Sequence, residues 1–481
     1  MLQDKLANSN LSVNQTTISR YSATTNWDNL LSSNVNSFGT QIAPGGFTPA
    51  PAPTSFIAVL EIPSDNYTVT LPYTSSGTYT GTVDWGDGNV LTNANRVSNT
   101  YATAGTYTLT IDGTVNGFNV YMYDFYKNPE RMQDGPRNFG PVLKSISQFG
   151  NQFSFGEDVG GYFGTCRILE SIADDIPLAG YTNWDWALAS CIVLNQDLSN
   201  WSAWTSNVTT MRFTFSSNEN FNQPLNSWDV SNVTSIRSMF YGCLVFNQPL
   251  DSWNTSNVVG DGFFDMFDTC YAFNQDISSW DVSNATALSV MFRRCYAFNQ
   301  PLDSWDVSNI EQFGGMFNSC SAFNQPLNSW DVSNATTFST MFGSSGFNQP
   351  LDSWNLQSVV SVSQMFMGNQ VFDQDISGWD VSNVNHMASM FRGATAFNQD
   401  ISSWNVSNVV ATIDGGFGNF LVGASSFSST NLDAIYNGWS TQTLTHGLTF
   451  GASTCYDSSA QTGRNVLTGT YGWTVTDGGV C

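Results

Sequence analysis

Apolar and polar positions recur with one period along the second half of the chain. A Phe stands at 221, 246, 273, 298, 323, 347, 372 and 397, followed by Asn-Gln or, at 372, by Asp-Gln. The spacings are 25, 27, 25, 25, 24, 25 and 25 residues. A fixed period of this size predicts a solenoid, in which each unit is one supersecondary element stacked on the last. Two patterns lie within the unit FNQPLNSWDVSNVTSIRSMFYGCLV that begins at Phe221. Leu225, Trp228 and Val230 predict a short strand. Val233, Ile236, Met239, Phe240 and Cys243 fall three or four apart, or adjacent, and predict one face of a short helix. A single rung leaves this apolar set open on two sides, and stacking supplies the missing walls. With strands about 4.8 Å apart, the clear rungs span roughly 40 Å.

Upstream the period is two. Ala58, Leu60 and Ile62, then Tyr67, Val69 and Leu71, then Tyr107, Leu109 and Ile111 alternate with polar residues, with a turn signal at Trp85-Gly86-Asp87-Gly88. These predict a small β-sandwich over residues 56–120. Before it, Ala43-Pro44-Gly45-Gly46 and Pro49, Pro51 and Pro53 predict an extended linker at 43–55. Residues 1–42, rich in Ser, Asn and Thr, read as an anchoring or assembly arm. The solenoid is assigned to 140–430 and a C-terminal cap to 431–481. Leu143-Lys144-Ser145-Ile146 is the earliest trace of the repeat, and a rung with Leu in place of Phe runs from Ser190 to Trp201.

Two resemblances follow. Val83-Asp84-Trp85-Gly86-Asp87-Gly88 and Tyr101-Ala102-Thr103-Ala104-Gly105-Thr106-Tyr107-Thr108-Leu109 resemble the signature segments of a polycystic-kidney-disease-type (PKD) domain. That resemblance implies an immunoglobulin-like spacer or binding module. The L-x-x-W-x-V stretch matches the strand of a leucine-rich repeat with Trp for the middle Leu. The whole unit is similar to BspA-like leucine-rich-repeat surface proteins of the Mycoplasma-lipoprotein type, with rungs FNQPL-x-x-WDVSNVT-x-M-x-x-MF-x-x-C, most closely between about 190 and 427. The implied fold class is a leucine-rich-repeat-like solenoid, one strand and one short helix per rung, behind an all-β sandwich. The implied role is adhesion at a cell or virion surface.

Charge narrows the partners. The chain has 38 acidic and 14 basic residues, a formal charge of −24, and Lys only at 5, 127 and 144. Phosphate binding needs clustered Lys and Arg, so nucleic acid is excluded as a partner and anionic membrane surfaces are disfavoured. Charged residues are 11% of the chain and aromatic residues 14%, which suits a polar, uncharged surface facing salt water or carbohydrate. No run of 18 apolar residues occurs, and the first twenty residues lack the apolar core of a secretion signal. The expectation is a non-enzymatic virion surface protein, a capsid decoration or fibre, meeting a protein or glycan on a host surface or neighbouring subunits. The alternative is a bacterial cell-surface adhesin.

Candidate chemistry is repetitive. With Trp228 and Val230 inward, Asp229 points outward, and Asp281, Asp306, Asp331 and Asp380 share its register, with Asn at 254, 355 and 405. This exposed ladder is the candidate binding surface. It binds cations, caps the Asp-Val-Ser-Asn turn, or tolerates screened repulsion; capping is favoured because Ser and Asn here are N-cap chemistry. Asp84 and Asp87 read as turn residues, with a calcium site as the alternative. No other metal or cofactor is expected. Asn222 and Gln223 read as a buried amide ladder, and Trp228, Phe240 and Cys243 as a core ladder. Cys191, Cys243, Cys270, Cys295 and Cys320 share one repeat position in parallel register, so they read as buried thiols, while Cys455 and Cys481 flank the cap and could pair. The irregular rungs, at Gly260-Asp261-Gly262 and at Gly415-Gly416-Phe417-Gly418, are where contacts particular to this chain are expected. Only His386 and His446 serve histidine chemistry. Carboxylates that repeat rung after rung do not make the singular constellation an enzyme needs, which leaves a solenoid polysaccharide depolymerase as the least favoured reading.

Overall fold

The computed structural model describes residues 53–120, 139–411 and 416–481. The expected arm at 1–42, the linker up to 52 and Gly415 of the second irregular rung lie outside the described residues. Every element below belongs to one compact unit, Ser55–Cys481.

The first part of that unit is β-rich. Its strands are β1 (Ser55–Ile62), β2 (Tyr67–Thr70), β3 (Tyr73–Tyr79), β4 (Thr82–Asp84), β5 (Val90–Thr92), β6 (Ser98–Tyr101), β7 (Gly105–Asp112), β8 (Val115–Phe118), β9 (Leu143–Gln148), β10 (Phe153–Ser154) and β11 (Ser171–Ile172). They form a six-stranded sheet in the order β11-β9-β1-β7-β4-β5, a three-stranded sheet β10-β8-β3 and the pair β2-β6. Strand β1 shows why the period of two was readable: Phe56, Ala58, Leu60 and Ile62 are buried, and the residues between them are not. It pairs antiparallel with β7 along its whole length, Ser55 opposite Asp112 and Ile62 opposite Gly105. Phe56 then packs tilted against Phe118 and stacks on Phe153, at 5.5 and 5.0 Å between ring centroids.

This sheet runs on into the repeats. Residues 143–146 lie in β9, antiparallel to β1 on one side and parallel to β11 on the other. The Ile172 N–H of β11 donates to Gln196 Oε1 at 2.7 Å, and Gln196 Nε2 donates back to the Ile172 carbonyl at 2.8 Å. Gln196 belongs to the Leu-opened repeat unit. The β-rich and repeated parts are therefore hydrogen-bonded neighbours.

From there to residue 411 the chain is a repeated region. The N–H groups of Ile236, Ser238, Phe240 and Gly242 donate to the carbonyls of Gly262, Phe264, Met266 and Asp268 in the next unit, at 2.9–3.0 Å. The N–H groups between them, on Met239, Tyr241 and Cys243, donate three residues back, to Ile236, Ser238 and Phe240. Alternation of this kind needs two left-handed residues four apart, here Ser238 (φ 52°) and Gly242 (φ 72°). Asp265 and Thr269, Val290 and Arg294, Gly315 and Ser319, and Thr340 and Ser344 repeat the pair. All the unit-to-unit N–H groups of this segment point toward the C-terminus and all its matching carbonyls point back.

The expected strand plus helix in each unit is overturned. Leu225 to Val230 forms no strand; the Trp228 N–H donates to the Leu225 carbonyl (3.0 Å) and the Val233 N–H to that of Val230 (2.9 Å), closing tight turns. Residues 236–243 form no helix, because no N–H there reaches four residues back. A row of turns places every third or fourth side chain inward just as a helix does, so the spacing of Ile236, Met239, Phe240 and Cys243 fits both. The α-helices among the described residues are few and short: α1 (Ser202–Thr205), α2 (Ser429–Trp439) and α3 (Gln461–Asn465).

Inside, the aromatic residues line up by repeat position. Phe240 stacks on Phe267 at 5.7 Å and 4°, Phe246 on Phe273 at 6.2 Å and 7°, and Trp253 on Trp280 at 6.1 Å and 4°. Burying each Phe from water contributes about 1.5–3 kcal/mol, so the columns dominate the stability of the region.

The C-terminal segment closes the row. In place of another repeat, Ser389, Phe391 and Gly393 donate to the carbonyls of Gly418, Phe420 and Val422 in and just after β12 (Gly416–Leu421). Strand β12 pairs in parallel with β13 (Thr449–Ala452), and β13 with β14 (Thr474–Thr476). Helix α2 is capped by Ser428, whose hydroxyl accepts from the Asn431 N–H, and buries Leu432, Ile435, Tyr436 and Trp439. Cys455 and Cys481 form a disulfide.

Candidate interaction surface

Four ladders join unit to unit. In the first, Asn222 Oδ1 accepts the N–H of Asn247 (2.9 Å) and Gln248 Nε2 (3.1 Å); Asn247 does the same for Asn274 and Gln275, and the series runs from Asn195 to Asn431. Asn222 and Gln223 are half-buried rather than buried, because one side of this ladder faces solvent. In the second, the indole of Trp228 donates to the Leu198 carbonyl (3.0 Å) and that of Trp253 to Leu225 (3.0 Å), with the Trp rings buried. In the third, Asn232 Nδ2 donates to the Ser206 carbonyl at 2.8 Å. The amide of this Asn-x-Thr triplet is thus engaged in structure. In the fourth, the Cys243 thiol donates to the Phe215 carbonyl at 3.1 Å. Cys166, Cys191, Cys243, Cys270, Cys295 and Cys320 are free and buried, and burial pushes their thiols well above the ordinary range. Such thiols are poor nucleophiles.

The five aspartates of the exposed ladder each close their own turn. Asp229, Asp281, Asp306, Asp331 and Asp380 accept, through Oδ1, the N–H of the Ser two residues on, at 2.9–3.1 Å. Asn254 and Asn405 do the same, and Asn355 accepts the N–H of Gln357, at 3.0–3.2 Å. An amide performs the job as well as a carboxylate, so charge is not what the position requires. Hydrogen bonds from the Ser hydroxyl and N–H hold Asp229, Asp306 and Asp380 below the usual carboxylate range. Asp84 Oδ1 accepts the Gly86 N–H (2.9 Å), and Asp87 accepts the Asn89 N–H (3.0 Å) and Asn99 Nδ2 (2.7 Å), so these two also serve turns. Among the described residues no group of three or more His, Cys, Asp or Glu side chains could hold a metal ion. No described helix is long and apolar enough to cross a membrane.

Charged pairs that the repeat pattern does not contain cluster around the unit lengthened at Gly260-Asp261-Gly262. Asp268 is fully buried, and its Oδ2 accepts from Arg293 Nε at 3.0 Å and from Nη2 as well. Asp265 Oδ1 is buried without a hydrogen-bond partner, 3.9 Å from Arg293 Nη2. Burial, reinforced by the Asp268 charge and opposed by Arg293, pushes Asp265 up to about 6. Arg237 pairs with Asp261 and lies over the Phe264 ring, 4.4 Å from its centroid. Further upstream, buried Asp185 holds Arg212 through Nε (2.8 Å) and Nη2 (2.5 Å).

Sequence reasoning pointed to this unit by its length and missed the pairs. The signal was present: Asp268 and Arg293 occupy one repeat position, 25 residues apart, and residues so related are neighbours. Tyr271 and Tyr296 were missed as well, and the same rule finds them. Their rings stack at 4.9 Å and 29°, exposed by 39% and 44%.

The family model described as Mycoplasma protein of unknown function, DUF285, matches residues 181–263, 261–346 and 342–446. None of the curated proteins compared with the chain matches it. Each family match covers several repeat units, and the three run on from one another over the aromatic columns. They take in more than half of the sequence, and the chain accordingly belongs to the DUF285 family.

Proposed function

We propose that this chain is a non-enzymatic surface protein, carried on a virion or a cell envelope, whose repeats stack as one solenoid and bind a host surface or neighbouring subunits. In this reading the β-rich region is a PKD-like spacer and the repeats are of the BspA-like type. One observation carries the reading: the aspartates of the exposed ladder are committed to their own turns, and the ladder amides and indoles to a neighbouring unit. General acid–base or nucleophilic chemistry on a glycan needs a pair of carboxylates free to face one bond. What the repeats offer instead is a long, regular face that differs from unit to unit only in its outward side chains.

The cell-envelope branch draws support from the family description, which names a cellular organism, Mycoplasma. Immunogold imaging with an antibody to residues 140–427, on producing cells and on particles released from them, tests the proposal. Label on particles places the protein on a virion and label on the cell exterior makes it an adhesin. Label confined to the cell interior would overturn the reading.

A further inference from the structure

The corner that precedes each Phe column is polar along most of the repeats. Glu219 and Asn220 stand there in one unit and Ser321 in another. Between them three consecutive units differ. Half-buried Leu244 stands two residues before Phe246, and Tyr271 and Tyr296 follow at the same position, 39% and 44% exposed. Backbone bonds fix these corners to one another: the Ala272 N–H donates to the Leu244 carbonyl and that of Ala297 to Tyr271, both at 3.2 Å. Neither tyrosine hydroxyl has a hydrogen-bond partner among the described residues, so the fold makes no use of them.

Arg294, two residues before Tyr296, is exposed and forms no ion pair among the described residues. Arg212, Arg237, Arg293 and Arg464 are each held by a carboxylate. Arg294 also sits in the left-handed conformation (φ 61°) that Gly242, Gly368 and Gly393 take at the same repeat position. Holding an arginine there costs about 1 kcal/mol relative to glycine. In a chain of net charge −24 this is a cation two residues before one ring of the aromatic pair.

We propose that Tyr271, Tyr296 and Arg294 form a binding site for a sugar residue bearing a carboxylate, at the end of a host glycan. The inference rests on the surface-binding reading above and names its ligand class. Size favours a sugar over a protein. The two rings lie 4.9 Å apart in adjacent units, a footprint for one pyranose ring, whereas a stable protein interface needs about 800 Å² on each partner. The apolar C–H face of a pyranose packs on a tyrosine ring, and a guanidinium takes a carboxylate through two parallel hydrogen bonds. Long polyanions are disfavoured, because beyond Arg294 the acidic chain repels them.

The test is saturation-transfer NMR with the full chain and four probes: α2,3-sialyllactose, trigalacturonate, lactose and maltotriose. The expected result is binding of at least one acidic probe and at least tenfold weaker binding of the neutral ones. Tyr271→Ala with Tyr296→Ala should weaken acidic binding at least tenfold, and Arg294→Gln should abolish the preference for acid. Both variants alter exposed side chains, and an unchanged melting temperature confirms that they fold. No acidic binding by the wild type at millimolar concentration, or equal binding by the double variant, would overturn the proposal. Imaging that still finds the protein on an exterior surface would leave the broader reading standing, and a failed localisation would sink that reading whatever the sugars do.

Discussion

The units around residues 240–300 and those from about 313 to 368 have the same interior and different exteriors. Met266 and Phe267 are as fully buried as Met341 and Phe342, and the Phe columns keep their step, 5.8 Å from Phe267 to Phe292 and 5.9 Å from Phe317 to Phe342. Around that interior, the earlier units carry Arg237, Phe264, Asp265, the buried Asp268 and Arg293, where the later ones carry small residues such as Gly315, Ser339, Thr340 and Gly343. Contact with two neighbours constrains each inward side chain. The outward positions escape that constraint, and there the chain departs from its own repeat.

The comparison can be broken at its interior first. Phe267→Ala and Phe342→Ala should each cost about 3–5 kcal/mol in urea unfolding followed by Trp fluorescence, and the two losses should agree within about 1 kcal/mol. A large difference would mean that the two stretches do not share one packing.

The exterior should give the opposite result. Asp268→Ala removes the partner of a half-buried arginine and should cost about 3 kcal/mol. Asn318→Ala, at the same repeat position one unit after Arg293, should cost about 1 kcal/mol, since it loses only a long 3.3 Å hydrogen bond to the Thr340 carbonyl and one from the Ser319 hydroxyl. Equal losses would show that the buried ion pair contributes nothing particular to the earlier units.

Acidity separates them further. Asp265 titrates near 6 in the folded chain, above the ordinary value of 3.8. A raised carboxyl pKa means that the folded state holds the proton more tightly than the unfolded one, so stability rises as pH falls from about 7 toward 4. Thermal unfolding between pH 5 and 8 should show the wild type losing about 1–2 kcal/mol more than Asp265→Asn as the pH rises. Asparagine also tolerates the left-handed backbone at this position (φ 59°). A variant that is less stable at pH 8 would refute the argument.

The smallest effects belong to the aspartate ladder. Asp306→Asn keeps the turn acceptor and should change stability by less than about 0.5 kcal/mol. Addition of a chelator should leave the melting temperature within about 1 °C, as expected of turn caps that need no cation. A larger drop on chelation would restore the cation reading.

The sequence announced the interior plainly. Phe221, Trp228, Val230, Met239, Phe240 and Cys243 are all buried, because side chains at one repeat position must stack on their own copies. It misled about the backbone. The spacing of Ile236, Met239 and Phe240 is common to a helix and to successive turns, and what decides between them is a left-handed residue every four positions. At Val290, Thr340 and Gln364 that residue is not glycine, so nothing in the letters marks it. The candidate surface was only half legible. Asp229 and its counterparts stood out because they repeat, whereas Tyr271, Tyr296 and Arg294 matter because they do not.

The one-way run of peptide groups through the segment 236–243 and its counterparts in other units has a consequence for growth and assembly. Within this segment the backbone bonds repeat from unit to unit even where the outer side chains and the unit length change. The termini are not interchangeable: one offers carbonyls, taken up by Val120 and Asn119 at Tyr162 and Gly160, and the other offers amide hydrogens, received by β12. A row of this kind has a head and a tail, and bare rows built on these bonds would join only head to tail.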